Sequence, residues 1–401
     1  LEDASIIMGS VSGGRLGAEM AVADIDGDGN DDVVLCAPEA DVADRLACGT
    51  VYLVPGPLAL RGGAVDTLAS TVLHGAKPGD RLGSEALAED VFGQGEMSLI
   101  LSAPRAGRGD RFSAGAVYVI DRSSISSGGE SRVDEAARLV INGEAAGDAL
   151  RGVTVCDTDG DGTRELLLGA YHADGNADDE IDAGTAYVVP ADSLLGATHV
   201  TLPDRAACVI RGTRPRGLLG RAMSSGDMDG DGADELALAA YGAGREGKKE
   251  TAWGEIYVIV GSPDGLHGVV NLPSPTVHEF TGAARWNLFG LPLALEDINL
   301  DGHADMLAAS QFADCDGGQR CGRVYLFRGS LRSVVAAKAG PAEDADAIFV
   351  GARPLDMAGG AIATGDIVAG NSPDLVIGAP EAANGSDDEK RGTVFVVPGE
   401  L

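Results

Sequence analysis

One acidic motif recurs six times along this chain and limits what the chain can fold into. Its best copy reads Asp-Ile-Asp-Gly-Asp-Gly-Asn-Asp-Asp. The copies begin 66 to 70 residues apart, at Asp24, Asp90, Asp157, Asp227, Asp297 and Asp366. Self-similarity at a fixed period is the signature of a repeat fold. The sequence therefore predicts a single repeat domain over residues 1–401.

Each repeat reads as four short strands. In the first repeat a short apolar segment (16–23) precedes the acidic loop, and further strands follow at 32–38, 49–56 and 71–75. Gly and Pro separate these runs, and 59 glycines with only 4% aromatic residues fit thin strands joined by tight turns. Six four-stranded antiparallel sheets in succession predict an all-β fold, a six-bladed β-propeller.

The two ends of the chain predict how the propeller closes. Residues 5–9 match the fourth strands of other repeats, such as 209–212, and the chain stops after a third strand at 396–399. We therefore expect the N-terminal strand to complete the last blade, which leaves no strand edge unpaired. The alternative is that the chain is part of a larger, seven-bladed propeller.

The acidic loops predict calcium sites. Alternating carboxylates at positions 1, 3 and 5 converge on one point, a backbone carbonyl at position 7 can join them, and hard oxygen ligands select calcium. An acid stands at position 9 and none at position 12, so the loops are not EF-hands. The predicted ligands are Asp24, Asp26, Asp28, Asn30, Asp32, Asp157, Asp159, Asp161, Thr163, Glu165, Asp227, Asp229, Asp231, Ala233, Glu235, Asp297, Asn299, Asp301, His303 and Asp305.

Two of the six loops have lost their ligands. The second repeat has Phe92, Gln94 and Ser98 at ligand positions, and the sixth has Val368 and Gly370. We expect four calcium ions, in blades one, three, four and five, and none in blades two and six. The alternative is that the acidic turns merely solvate their loops, but unneutralised carboxylates this close together would repel one another.

The six cysteines predict two loop disulfides. Cys36 and Cys48 bracket one loop, and Cys315 and Cys321 bracket a loop four repeats later. Two pairs at matching places indicate Cys36–Cys48 and Cys315–Cys321 disulfides in an oxidising, extracytoplasmic compartment. Reduced structural thiols are the alternative. The remaining two, Cys156 and Cys208, are expected to be buried thiols.

Charge and hydropathy exclude two classes of partner. A net charge of −32 argues against nucleic acid, since a phosphate backbone requires a basic surface. A salt-adapted surface would also explain the acidity. The longest apolar runs fall short of the ~18 residues that cross a membrane, so no membrane span is expected.

Three features together carry a family resemblance. They are Leu/Phe-Gly pairs (16–17, 82–83, 219–220, 289–290), the calcium loop, and Gly-Ala-Pro-like strand ends such as 378–380. The chain thus resembles the FG-GAP repeats of the integrin α-subunit propeller, although the well-known members have seven blades. The resemblance implies that second-to-third and fourth-to-first strand loops form a ligand face, opposite the calcium loops. The second-to-third loops are 39–48, 105–114, 171–183, 241–253, 311–321 and 381–391.

The expected function is a calcium-stabilised extracellular binding or adhesion module that presents these loops to a protein partner. The alternative is a lectin-like propeller that uses loop aromatics such as Trp253 and Trp286. A calcium-dependent polysaccharide lyase or hydrolase is less expected, because no histidine recurs at one loop position. We therefore expect no enzymatic activity. Arg108-Gly109-Asp110 is read as a chance match, and the charges of 171–183 and 241–253 predict mutual salt bridges.

Overall fold

The computed structural model describes residues 6–57, 62–177, 179–244, 252–315, 318–329, 342–368, 372–382 and 392–399. Almost all regular structure in these ranges is β. The few helical segments are short: α1 (Val65–Leu68), α2 (Arg122–Ser126), α3 (Val133–Ala136) and the 3₁₀ turns Asp192–Leu194 and Ala342–Asp344.

The strands are short, as the frequent glycines and turns predict. The first fourteen are β1 (Ile7–Met8), β2 (Glu19–Ala23), β3 (Asp32–Ala37), β4 (Thr50–Val54), β5 (Gly63–Ala64), β6 (Thr71–His74), β7 (Ala86–Glu89), β8 (Ser98–Ala103), β9 (Ala116–Asp121), β10 (Gly129–Arg132), β11 (Leu139–Asn142), β12 (Leu150–Cys156), β13 (Glu165–Ala170) and β14 (Thr185–Pro190). The others are β15 (His199–Thr201), β16 (Cys208–Gly212), β17 (Ala222–Gly226), β18 (Glu235–Ala240), β19 (Glu255–Ile259), β20 (Gly268–Leu272), β21 (His278–Thr281), β22 (Leu293–Glu296), β23 (Asp305–Ser310), β24 (Arg323–Phe327), β25 (Ala347–Val350), β26 (Ala361–Gly365), β27 (Asp374–Ala379) and β28 (Thr393–Val397).

Six sheets, one per repeat, follow one another along the chain. Their strand orders are β10-β6-β4-β3-β2, β15-β11-β9-β8-β7, β12-β13-β14-β16-β20, β17-β18-β19-β21, β22-β23-β24-β25 and β26-β27-β28. This succession confirms the predicted all-β class of a six-bladed β-propeller. The acidic loop lies between the first and second strands of each sheet. The antiparallel pairing then places the second-to-third strand loop at the opposite end of the same sheet.

The chain divides into two compact units. The first comprises Leu1–Val155, Gly162–Ala173 and Tyr187–Val209, and the second comprises Cys156–Asp161, Asp174–Ala186 and Ile210–Leu401. In the second unit, β18 and β19 are buried along their whole length. Their apolar runs read continuously because both faces of these strands are buried. Phe289, Met306 and Tyr325 join them in one core cluster.

The prediction of four strands in every blade is wrong for the first three sheets, which have five. In the first sheet, β10 adds in parallel to β6, with Gly129 opposite Thr71, and in the second β15 adds to β11. Both added strands come from the linker between the third and fourth strands of the next repeat. These linkers are polar and lack an alternating pattern, so the sequence did not reveal them. They cover the free edge of the fourth strand.

The N-terminal strand behaves partly as predicted. β1 pairs in parallel with β5, with Ile7 opposite Gly63, which is the pairing of a fourth strand with its added linker strand. The sixth sheet, however, has three described strands rather than four. Closure of the last blade by residues 5–9 therefore stays a prediction, as does the assignment of one domain to the whole chain.

The glycine of the Leu/Phe-Gly pair is required where two blades meet. Gly290 has φ +98°, and a Cβ added there would lie 2.7 Å from Ala239 Cβ and 2.9 Å from Ile256 Cγ1. Distances this short force the surrounding side chains apart, and the core between blades is close-packed. The glycine of this pair is thus required for close packing between blades four and five.

Replacing Gly290 by alanine should destabilise the protein by about 1–3 kcal/mol more than Gly268→Ala, because overpacking is added to backbone strain. Gly268 is the matched control, since its φ is +79° and a Cβ there would meet nothing within 4 Å. Chemical unfolding of both variants in millimolar calcium measures the difference. Equal losses of stability would contradict the packing role.

Candidate calcium loops

The first acidic loop owes its shape to its own carboxylates. Asp26 Oδ1 accepts a hydrogen bond from Asp28 N at 3.0 Å, Asp28 Oδ1 accepts one from Asn30 N at 2.8 Å, and Asp24 Oδ2 accepts one from Gly29 N at 3.1 Å. The first two contacts are Asx-type turns, in which a short acidic side chain replaces a backbone acceptor, and the third closes the loop across five residues. The alternating Asp pattern therefore folds the loop before any ion is considered.

The loops of blades four and five repeat this geometry. In blade four, Asp229 Oδ1 accepts from Asp231 N at 3.2 Å and Asp227 Oδ2 from Gly232 N at 2.9 Å. In blade five, Asn299 Oδ1 accepts from Asp301 N at 2.9 Å, and Asp297 Oδ2 from Gly302 N at 2.9 Å. The hydrogen-bond pattern is the same position by position.

Carboxylates converge in three of the four loops for which the sequence predicts calcium. In each group one ligand atom from each of three residues lies within 4.8 Å of the others. The groups are Asp24, Asp26 and Asp32; Asp157, Asp159 and Asp161; and Asp227, Asp229 and Glu235. In the fifth blade the neutral Asn299 occupies position 3. These clusters could hold a metal ion.

Unsatisfied oxygens favour a cation over simple solvation. Within the described residues, Asp24 Oδ1 and Asp305 Oδ2 are buried and have no hydrogen-bond partner. A buried carboxylate oxygen without a donor is costly. A hard cation at the centre of each loop would satisfy the carboxylate oxygen of that loop, so the residues present fit calcium.

Burial and neighbouring acids oppose ionisation of the fourth-blade cluster. Burial, followed by the charges of Asp229 and Asp227, raises the pKa of Glu235 to about 7. The pKa of Asp229 is raised by burial and by Asp231 and Asp227. A divalent cation among these groups would stabilise their charged forms and reverse both shifts.

The acid at position 9 has a second role that sequence reasoning missed. Asp32 Oδ2 accepts hydrogen bonds from Ile25 N and Asp26 N at 3.1 Å each, and its Oδ1 accepts one from Gly56 N at 3.0 Å. Glu235 makes the same three bonds, to Met228 N, Asp229 N and Gly261 N. This residue fastens the acidic loop to the turn after the third strand.

The two loops that have lost ligand residues, in blades two and six, keep their shape through other contacts. In blade two, Asp90 accepts from Gln94 N at 3.0 Å, and the Arg138 guanidinium lies 4.0 Å above the Phe92 ring. In blade six, Asp374 accepts from Ile367 N and Val368 N at 2.8 and 2.6 Å, and from Gly399 N at 3.1 Å. Asp374 is thus the position-9 anchor of a loop that has lost predicted calcium ligands. Gly370 lies outside the described residues.

Neighbouring loops are joined in series within the second unit. Asp157 O accepts from Asp234 N and Asp227 O from Ala304 N, both at 2.7 Å. The His303 ring of the blade-five loop also lies over the blade-four loop, since a Cβ added at Gly230 would fall 2.4 Å from His303 Cε1. The position-1 residues Asp157 and Asp227 therefore each accept a backbone hydrogen bond from the acidic loop of the following blade.

One of the two predicted disulfides is present. Cys315 and Cys321 are bonded, with their Cα atoms 5.7 Å apart. Cys36 and Cys48 are buried thiols, so the Cys36–Cys48 prediction is wrong.

The two pairs do not occupy equivalent positions. Val42 bridges to Arg45 where Cys315 bridges to Gly318, so the counterpart of Cys315 is Val42. Cys36 lies on β3 and packs instead against Gly83 of the next repeat. Cys156 and Cys208 are buried thiols, as predicted.

The predicted ligand loops are only partly described. Arg245, Lys248 and Lys249 lie outside the described residues, so their pairing with loop 171–183 stays a prediction. Within that loop, Asp174 Oδ1 accepts from Asp182 N at 2.9 Å. The Arg108-Gly109-Asp110 sequence forms a tight turn, in which Arg108 O accepts from Arg111 N at 3.2 Å.

A buried aspartate before the Leu/Phe-Gly pair was also missed. Asp80, Asp148 and Asp356 each accept a hydrogen bond, at 2.8–2.9 Å, from the backbone N–H three residues earlier. The signal was available, because all three stand at the same distance before the repeat signature. They shape the fourth-to-first strand loop.

Comparisons with known proteins place the chain beside two kinds of protein. No protein-family model matches it. Mouse phosphatidylinositol-glycan-specific phospholipase D is 26% identical over 344 residues, 82% of this chain and 40% of that protein. Integrin α-PS5 of Drosophila melanogaster is 30% identical over 179 residues, 43% of this chain and 16% of that protein. The crystal structure of the exotype rhamnogalacturonan lyase YesX matches 95% of this chain and 55% of its own chain, at 11% identity and a TM-score of 0.41.

The relatives confirm one prediction and overturn another. The resemblance to integrin α-subunits is confirmed, and these relatives support a propeller that serves as a binding or adhesion module. The prediction of no enzymatic activity is contradicted, because the mouse, cattle and human relatives are phospholipases D. This chain spans about 40% of the length of these relatives. Among the described residues, none of the helices has the length and apolarity to cross a bilayer.

Asp374→Asn should lower the melting temperature, and the loss should depend on pH. Backbone hydrogen bonds from Val368 and Ile367 lower the pKa of Asp374 below its ordinary 3.8. A lowered pKa stabilises the fold above the ordinary value, and this stability disappears as the pH falls through the lowered pKa. The melting difference from the parent should therefore be constant between about pH 5 and pH 7 and shrink at lower pH. Asp366→Asn, in the same loop, is the control, and an equal, pH-independent loss in both variants would contradict the anchor.

Proposed function

We propose that this chain is a calcium-stabilised binding module of an extracytoplasmic protein. The observation that carries the proposal is the convergence of three carboxylate groups within 4.8 Å in each of three equivalent loops. Four ions are expected, held by the ligand sets of blades one, three, four and five. Their role is structural, because each loop follows a first strand and precedes a fully buried second strand.

The opposite ends of the sheets supply the binding surface. The second-to-third strand loops vary more in sequence than the second and third strands do. A rigid scaffold that displays variable loops is the usual arrangement of a recognition module. The Cys315–Cys321 disulfide supports an oxidising compartment and fixes one of these loops. The partner is a protein or a glycan.

A second candidate follows from the phospholipase relatives. They match 82% of this chain, so the propeller is also proposed as a part of an enzyme that acts on a phosphatidylinositol-glycan. The test is hydrolysis of such a glycolipid by the full-length protein. Hydrolysis would support this candidate, and its absence from a folded, calcium-loaded protein would remove it.

Calcium removal should lower the melting temperature, because calcium binds the folded loops and not the unfolded chain. A site filled at a hundred times its Kd contributes about 2.7 kcal/mol. We expect a large loss on adding EGTA, full recovery on returning calcium, and little recovery with magnesium. Differential scanning calorimetry measures all three.

Two variants distinguish calcium binding at the predicted sites from a general effect of removing an acidic residue. Asp227→Asn removes a predicted ligand, whereas Asp366→Asn removes the same position from a blade that is expected to lack calcium. Only the first should reduce the stabilisation by calcium. A melting curve that EGTA leaves unchanged, or equal effects of the two variants, would overturn the proposal.

A further inference from the structure

Trp286 occupies a backbone position that favours glycine. It stands four residues before the glycine of its Leu/Phe-Gly pair and has φ +65°. The equivalent residues of the first three repeats are Gly13, Gly79 and Gly147, which have φ values of +78°, +82° and +93°, whereas repeats four and six place Arg216 and Leu355 there, at +57° and +69°. A bulky side chain is strained in this conformation.

The Trp286 indole is mostly exposed to solvent. Trp286 is 62% exposed, and its ring packs against no other aromatic ring among the described residues. A bulky residue that is both strained and exposed to solvent is a candidate for binding a ligand. Large exposed aromatic side chains are typical anchors of binding sites.

The backbone around Trp286 is held rigidly. The flanking Asn287 and Phe289 are buried, at 6% and 0% exposure. Phe289 N donates to Trp253 O at 3.2 Å, and Gly290 N donates to Ala309 O at 2.9 Å. The indole is therefore presented by a fixed turn.

A cavity of about 430 Å³ opens beside the indole. The far wall is the second-to-third strand loop of blade five, which provides Phe312, Asp314 and Arg320. The Cys315–Cys321 disulfide closes this loop. Asp314 Oδ1 accepts from Arg320 N at 2.9 Å, and the Arg320 guanidinium lies 5.7 Å from the Phe312 ring.

Blade six supports the same wall from behind. Leu355 N donates to Gln319 O at 2.9 Å, and Met357 N donates to Arg320 O at 3.2 Å. Backbone hydrogen bonds thus hold the described residues of both walls, and a pre-formed site lowers the entropic cost of binding. We name this site the blade-five cavity.

The charge in the blade-five cavity differs from that of the chain. The net charge of the chain is −32, yet Arg285 and Arg320 line the cavity with only Asp314 to balance them. Within the described residues, neither arginine forms a salt bridge to an acidic side chain. A guanidinium pairs with a planar carboxylate or a sulfate through two parallel hydrogen bonds.

We propose that the blade-five cavity binds an acidic saccharide. The apolar C–H face of a sugar ring stacks on the Trp286 indole, and a carboxylate or sulfate of the sugar pairs with Arg285 and Arg320. The carboxylate of Asp314 and the amide of Gln319 accept and donate hydrogen bonds to hydroxyl groups. This inference rests on the proposed role as a binding module and names the ligand class of that module.

The first test is an array of uronate-containing, sialylated, sulfated and neutral glycans, probed with calcium-loaded protein. We expect binding to acidic members only, and weaker binding as salt is raised. Binding to neutral glycans alone would overturn the inference. A blank array with folded protein would also overturn it, while leaving the binding module to a protein partner, since calcium stabilisation is measured separately.

Variants at one structural position then separate binding from folding. Trp286→Gly should weaken the selected glycan about tenfold or more, without loss of melting temperature, because glycine relieves the strain. Arg216→Gly makes the same change at the equivalent, exposed position of blade four, where φ is +57°, and should leave binding unchanged. Arg285→Ala should weaken acidic glycans. Affinity that survives both Trp286→Gly and Arg285→Ala would contradict the site.

The two tryptophans of the chain allow a direct readout. In a Trp253→Phe background Trp286 is the only tryptophan, so its fluorescence reports on the cavity. Titration with the selected glycan should shift its emission with the same midpoint as binding. An emission that stays constant at saturation would show that the glycan binds elsewhere.

Discussion

A buried carboxylate at the start of the second strand fastens the acidic loop in blades one, four and six. Asp32, Glu235 and Asp374 each accept two backbone N–H groups from the acidic loop and one from the turn after the third strand. A buried charge is tolerated only when its oxygens are hydrogen-bonded. These three bonds fix the loop relative to the strands on either side. Because Asp374 makes them in a loop that keeps only one other acid, Asp366, the anchor does not depend on metal.

The proposed calcium sites build on this anchor. Once the loop is fixed, its remaining carboxylates converge and resist ionisation, as the raised pKa values of Asp229 and Glu235 show. A divalent ion resolves the repulsion, whereas Phe92 under Arg138 removes it in blade two by discarding the charges. In the second unit the loops are also bonded in series through Asp157 and Asp227. Occupancy of one loop should therefore stiffen its neighbours.

The sequence predicted the elements whose signals are local. Strands such as 32–38 and the acidic loops were found because alternating residues and turn residues act over a few positions. The fifth strands were missed, since polar linkers such as Gly129–Arg132 become strands only by adding to a free edge. Cys36 was paired wrongly because bracketing a loop in sequence does not place two thiols on facing positions. The strain at Trp286 could not be read at all, because backbone angles belong to the folded loop.

The central claim is that the acidic loops of four blades each hold one calcium ion, and a count of bound ions tests it most directly. Native mass spectrometry of calcium-loaded protein should show four ions, and Asp229→Asn should show three. A mass equal to that of the bare chain, or a count that Asp229→Asn leaves unchanged, would contradict the account.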